Sequence, residues 1–241
     1  MSIRTVNRGS ACSSGQPDSP AASASPKRTA HFAMTREIRG ALGARPTVLV
    51  GMMGAGKSSL GRALARRLES RFIDSDKEIE AKTGKSIIRI FAEDGEAHFR
   101  NLEANEIKRA LEQGPAVLST GGGAFMIDDV RHHIGRKAVS IWLNTNEDVI
   151  RPNLKHNTKC PKLRTSDQDQ TISDLMQAHN SIYRLANLTI APQHRRDLKS
   201  ADACMTALHA YLCDAGQGTG QAGLFQELPD APGSQNAEPR V

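Results

Sequence analysis

The chain has 241 residues, 38% of them hydrophobic and 24% charged, which suits one α/β domain with tails and supplies enough chain for a sizeable core. Of the formal charge of +6, residues 1–46 carry +5 and residues 214–241 carry −3, leaving +4 on residues 47–213, so the pI near 9.3 reflects no long Lys/Arg stripe and a nucleic-acid partner is not expected. No run of about 18 apolar residues suggests a membrane span, and Cys12, Cys160, Cys204 and Cys213 stand too far apart for a zinc site or a disulfide framework, so a cytoplasmic location is expected.

Residues 1–45 are dominated by small and polar residues with Pro17, Pro20 and Pro26, and are expected to form a disordered arm. The first clear signal is Thr47-Val-Leu-Val-Gly-Met-Met-Gly-Ala-Gly-Lys-Ser-Ser59, an apolar strand that breaks into a glycine-rich loop and then a helix carrying Leu60, Ala63, Leu64 and Leu68. The spacing Gly51 to Gly56-Lys57-Ser58 fits G-x-x-x-x-G-K-[ST], in which backbone N–H groups turn toward phosphate oxygens. Lys57 is placed to reach the β- and γ-phosphates, Ser58 to hold Mg²⁺, and the helix dipole adds to the anion site.

Arg71-Phe-Ile-Asp-Ser-Asp76 reads as a brief strand whose two carboxylates, at i and i+2, share one face. In a doubly wound sheet the C-terminal strand ends open into the ligand crevice, so Asp74 and Asp76 are expected to face the phosphate loop. A helix over 77–82 stops at Gly84, and Ser86 caps a second over 87–92. A long helix over 96–112 buries Phe99, Leu102, Ile107, Ala110 and Leu111, with Arg100 and Glu103 at i, i+3 able to pair. The strand 116–120 runs into Gly121-Gly122-Gly123, three residues that mark backbone something approaches closely.

After a helix near 128–134 and a strand over 138–143, the pattern dissolves into the polar segment 151–170, where Lys155, Lys159, Lys162 and Arg164 crowd around Pro161. Beside a phosphate loop, such a basic segment reads as a mobile lid. A helix over 171–186, a short strand over 188–190 and a last helix spacing Ala201, Cys204, Met205, Leu208, Tyr211 and Leu212 complete the domain, and 214–241 reads as a disordered tail. Alternating strands and helices imply a three-layer α/β/α fold with a five-stranded parallel sheet over residues 46–213.

Four stretches taken together, Gly51 to Ser59, Phe72 to Asp76, Ile90 to Glu103 and Ser119 to Gly123, resemble the shikimate kinase family of P-loop kinases over roughly residues 46–213. The resemblance implies ATP and Mg²⁺ as cofactors and phosphorylation of the shikimate 3-hydroxyl in aromatic amino acid biosynthesis, by a chain acting as a monomer on a small molecule. It assigns Gly54, Ala55, Gly56, Lys57, Ser58 and Ser59 to the ATP phosphates, with Ser58 and Asp74 serving the metal. Asp76 would accept the hydrogen bond of the phosphorylated hydroxyl, Arg100 would pair with the shikimate carboxylate, and Gly121, Gly122 and Gly123 would approach the ring. Catalysis then falls to Lys57 and Asp76. The family's lid arginine before the proline is here Cys160, and an arginine of the following helix that holds the substrate carboxylate is here His179. Those departures leave two alternatives open: a related kinase with another hydroxy-acid acceptor, or a nucleotide-binding regulator without catalysis.

Overall fold

The protein is described by a computed structural model over residues 26–154, 167–192 and 198–217. Its strands are β1 (Thr47–Val50), β2 (Arg71–Asp74), β3 (Ala116–Ser119), β4 (Val139–Leu143) and β5 (Leu188–Ile190). They form one parallel sheet in the order β2-β3-β1-β4-β5. Every residue of β1, β3 and β4 is buried, as central parallel strands require when helices cover both faces.

Strand alternation sorts the core. Leu49, Ile141 and Leu143 point to one face, where α1 (Pro26–Leu42), α2 (Lys57–Arg67) and α9 (Leu198–Gln217) contribute Ile38, Leu64, Cys204, Met205 and Leu208. Val48, Val50, Leu118 and Trp142 point to the other, packing on Ile107 of α5 (Gly95–Glu112) and Val130 and Ile134 of α6 (Asp128–Lys137). Between β2 and α5 lie α3 (Ser75–Thr83) and α4 (Ile87–Glu93), which with Phe99 build a small third cluster around Ile79 and Ile90. Local chemistry sets their ends: Gly84 terminates α3 at φ +67°, and the Ser86 hydroxyl accepts from the Arg89 N–H to cap α4. Between β4 and β5 come α7 (Glu147–Leu154) and α8 (Gln168–Tyr183).

The first expectation to be corrected concerns the arm over 1–45. Residues 26–42 are helical, and Ile38 and Leu42 enter the core. The helix is tied down on several sides: Thr35 Oγ1 donates to the Arg67 carbonyl at 3.2 Å, and Glu37 meets His209 Nε2 of α9 at 2.6 Å. Met34, Ile38 and Leu42 stand four residues apart, an apolar stripe that the polar composition around it conceals. At the other end, α9 continues to Gln217, past the start of the expected tail at 214. The polar segment 151–170 is also shorter than expected: Arg151 to Leu154 close α7, and Gln168 to Gln170 open α8. The remaining lid positions, Lys155, Cys160 and Lys162 among them, lie outside the described residues, as do 1–25 and 218–241.

Candidate active site

Three loops meet at the C-terminal ends of β1, β2 and β3, where chain direction across the sheet switches: β1 leads outward to β2, while β3 leads past β1 to β4. They line a cleft of about 780 Å³.

The loop after β1 supplies the anion-binding side. Gly56 precedes α2 at φ +90°, a left-handed conformation that a side chain would strain, and so turns the chain directly into the helix. The first-turn amides of α2 have no intrahelical acceptor and face the cleft end of the helix. Gly54, Gly56, Lys57, Ser58 and Ser59 line the cleft. Ala55 does not; its N–H donates to the Met52 carbonyl inside the loop at 3.2 Å. The Lys57 ammonium donates to the Gly51 and Met52 carbonyls at 2.7 and 2.8 Å. Burial lowers its pKa to about 8, against the pull of Asp76, Asp74 and Glu103.

Ser58 Oγ donates to Asp74 Oδ2 at 2.6 Å and lies 3.4 Å from Ser119 Oγ. This cluster consists only of oxygen donors, one of them a carboxylate, which is the ligand chemistry a hard cation such as Mg²⁺ takes.

Asp74 and Asp76 both line the cleft, by a different route from the expected strand face. Asp74 ends β2 and caps α3, accepting from the Lys77 N–H, whereas Asp76 belongs to the first turn of α3. The strand ends two residues too early for the i, i+2 argument, because the Asp74 side chain captures an orphan helix donor and starts the helix. Asp76 Oδ1 is buried with no hydrogen-bond partner. Burial, then Glu103 and Asp74, push the Asp76 carboxyl up to about 7, with Lys57 opposing them.

Glu103 is a cleft residue that the sequence marks only as a helix partner of Arg100. Its side chain is fully buried; one oxygen accepts from Arg100 Nη1 at 2.6 Å, and the other, Oε1, is buried without a partner. The i, i+3 spacing with Arg100 was readable, but not its position near Asp76. Arg100 also donates to Glu96 Oε1, at 3.1 Å from Nη2, and its guanidinium carbon lies 5.1 Å from the Phe99 ring centroid.

The three glycines are explained by these side chains. A Cβ on Gly121 would stand 2.1 Å from Glu103 Oε1, and one on Gly123 would stand 2.7 Å from both terminal nitrogens of Arg100. Gly122 lies against the phosphate loop, where a Cβ would stand 3.1 Å from the Met53 nitrogen. Its carbonyl accepts from the Tyr183 hydroxyl of α8. His179, one turn earlier, is half-buried and sets its ring edge-on to Tyr183 at 5.9 Å, outside the residues lining the cleft.

A parallel sheet in this order, with a phosphate loop feeding a helix, an oxygen cluster beside Lys57 and a buried carboxylate across from an arginine, defines a P-loop kinase for a small acceptor. Comparison with known proteins narrows the class. The sequence profile described as shikimate kinase matches residues 53–209. The chain is 47% identical over 177 residues to the shikimate kinase of Bradyrhizobium diazoefficiens, covering 73% of this chain and 86% of that one. It is 48% identical over 179 residues to that of Rhodopseudomonas palustris, covering 74% and 88%. Among solved structures, shikimate kinase from Acinetobacter baumannii in complex with shikimate aligns with a TM-score of 0.68 at 29% identity, over 75% of this chain and 98% of that one. The chain belongs to the shikimate kinase family.

Proposed function

We propose that the protein transfers the γ-phosphoryl group of ATP to the 3-hydroxyl of shikimate, with the site residues in the roles that follow. The observation that carries the reading is Asp76: a buried carboxyl with one oxygen unpartnered, lining the same cleft as the phosphate loop and Arg100. Bound MgATP would supply the phosphoryl group and the divalent charge that neutralises it. Lys57 exchanges its two loop carbonyls for phosphate oxygens, while Ser58 and Asp74 provide the oxygen cluster for the metal. Gly54 to Ser59 shape the phosphate cradle. Arg100, pinned by Glu96 and Glu103, presents its guanidinium fork to the shikimate carboxylate. Gly121 to Gly123 bring bare backbone against the ring. Asp76 orients the acceptor hydroxyl and takes its proton as that oxygen bonds to the γ-phosphorus and the bond from the phosphorus to the bridging oxygen breaks, releasing ADP.

Among the described residues no helix is long and apolar enough to cross a membrane. The reading extends to a cytoplasmic location, supported by the family's dependence on ATP and a small polar acceptor.

One observation favours a second acceptor beside shikimate. His179, in the place of a family arginine, turns to Tyr183 and does not line the cleft, so that among the described residues Arg100 is the arginine set against the glycines, at Gly123. Measuring ADP release with MgATP and shikimate, quinate or gluconate tests both readings. Shikimate-dependent turnover well above the other acceptors is the expected result; turnover with another acceptor alone would replace the proposal, and none with any acceptor would refute it.

A further inference from the structure

Helix α7 ends directly against the phosphate loop. Asn153 Nδ2 donates to the Gly54 carbonyl at 2.7 Å. The next residue, Leu154, is fully buried and closes over the same glycine, so that a Cβ on Gly54 would stand 3.0 Å from its Cγ. Gly54 has φ +77°, a left-handed conformation that a residue with a Cβ would adopt only under strain.

The Gly54 carbonyl and the Ala55 N–H belong to one rigid peptide plane. Fixing the first therefore fixes the second, and that N–H closes the loop on the Met52 carbonyl. The following peptide is held too, by Thr145 Oγ1 donating to the Ala55 carbonyl at 3.4 Å. Asn153 is itself well anchored. Two residues earlier, Arg151 grips α8, pairing with Asp169 at 2.6 Å and donating to Ser173 Oγ at 3.1 Å, and it pairs with Glu147 within α7. From there α8 continues to Tyr183, whose hydroxyl holds the Gly122 carbonyl. A continuous chain of contacts therefore links the glycines of the acceptor side to the middle of the phosphate loop.

We propose that Asn153 is a positioning residue for the nucleotide: it holds the Gly54–Ala55 peptide so that the loop enters α2 with its amides set for the ATP phosphates. This rests on the reading of Gly54 to Ser59 as the ATP site. Asn153 lines the cleft at the end of α7, where the chain leaves for the segment 155–166.

The test is steady-state kinetics of the full chain carrying Asn153→Ala or Asn153→Gln, with MgATP and shikimate varied separately and the thermal midpoint measured alongside. Loss of the hydrogen bond is expected to raise KM for MgATP about tenfold, the effect of roughly 1.4 kcal/mol. KM for shikimate and the midpoint should stay near wild type, and Gln, which keeps the amide donor, should recover part of the MgATP affinity. The inference is overturned if KM for MgATP is unchanged, if Gln fares no better than Ala, or if both KM values and the midpoint worsen together as for a packing residue. Lys57→Ala separates the two levels. Full turnover in that variant would sink the ATP-site reading, whereas loss of turnover there beside unaltered Asn153→Ala would sink only the role of Asn153.

Discussion

Burial and the nearby Glu103 and Asp74 carboxylates raise Asp76 from 3.8 to about 7. A carboxyl with that value is partly ionised at neutral pH and can both orient a hydroxyl and receive its proton. The same shift has a stability consequence of definite sign. The folded chain holds the Asp76 proton more tightly than the unfolded chain does. Its contribution is therefore fully present below 3.8 and is lost as pH rises through about 7. Asp76→Asn, which cannot ionise, should leave the thermal midpoint near wild type at pH 4 and raise it at pH 8. In the same variant phosphoryl transfer should fall by at least about 100-fold with ATP affinity nearly unchanged. Calorimetry at the two pH values and a nucleotide titration check this; normal turnover would remove Asp76 from the mechanism. The residue types at this site were legible in the sequence. The nearness of Glu103 to Asp76 was not, because it depends on how α3 and α5 pack, whereas the start of α3 at Asp74 is a local capping choice that competes with the strand.

At the scale of elements, the clearest departure from sequence expectation is α1. Helix propensity alone rarely sustains a helix in water, and most helical stability comes from packing one apolar face. The partner surface for Ile38 and Leu42 is α2 and α9, the latter more than 150 residues away in sequence, so no local window could show that the helix is worth forming. Ile38, fully buried, gives the test: Ile38→Ala should destabilise the chain by about 2–4 kcal/mol, read as a lower urea midpoint at unchanged slope. A loss near zero would mean that α1 contributes nothing to the cooperative unit. The elements whose extent agrees with the sequence expectation, α4, α5, the C-terminal end of α3 and the strands β1, β3 and β4, carry their instructions locally. Ser86, Gly84 and the unbroken apolar runs settle their own ends and burial by capping, backbone freedom and strand alternation.

For the whole molecule, the cleft joins parts from the first and second halves of the chain: the phosphate loop and Asp74 from one side, Thr120 to Gly123 from another, and α7 closing over Gly54. Ligands that bind across it bind only the folded state. Nucleotide and shikimate at about 100 times their dissociation constants should therefore each add about 2.7 kcal/mol, raising the thermal midpoint by several degrees. Lys57→Ala should abolish the shift from MgADP while keeping most of the shift from shikimate; equal shifts in both proteins would place the nucleotide elsewhere.

The sequence by itself determined the parallel α/β plan, the phosphate loop and the residue types around it, since strand periodicity, glycine spacing and capping act over a few neighbours. Only the tertiary structure decided that α1 seats Ile38 and Leu42 in the folded core, that Asp76 and Glu103 sit buried near one another against Gly121, and that Asn153 reaches Gly54. Each of those is a contact between segments far apart in the chain, and its free energy comes from burial and desolvation that exist only once the layers have closed.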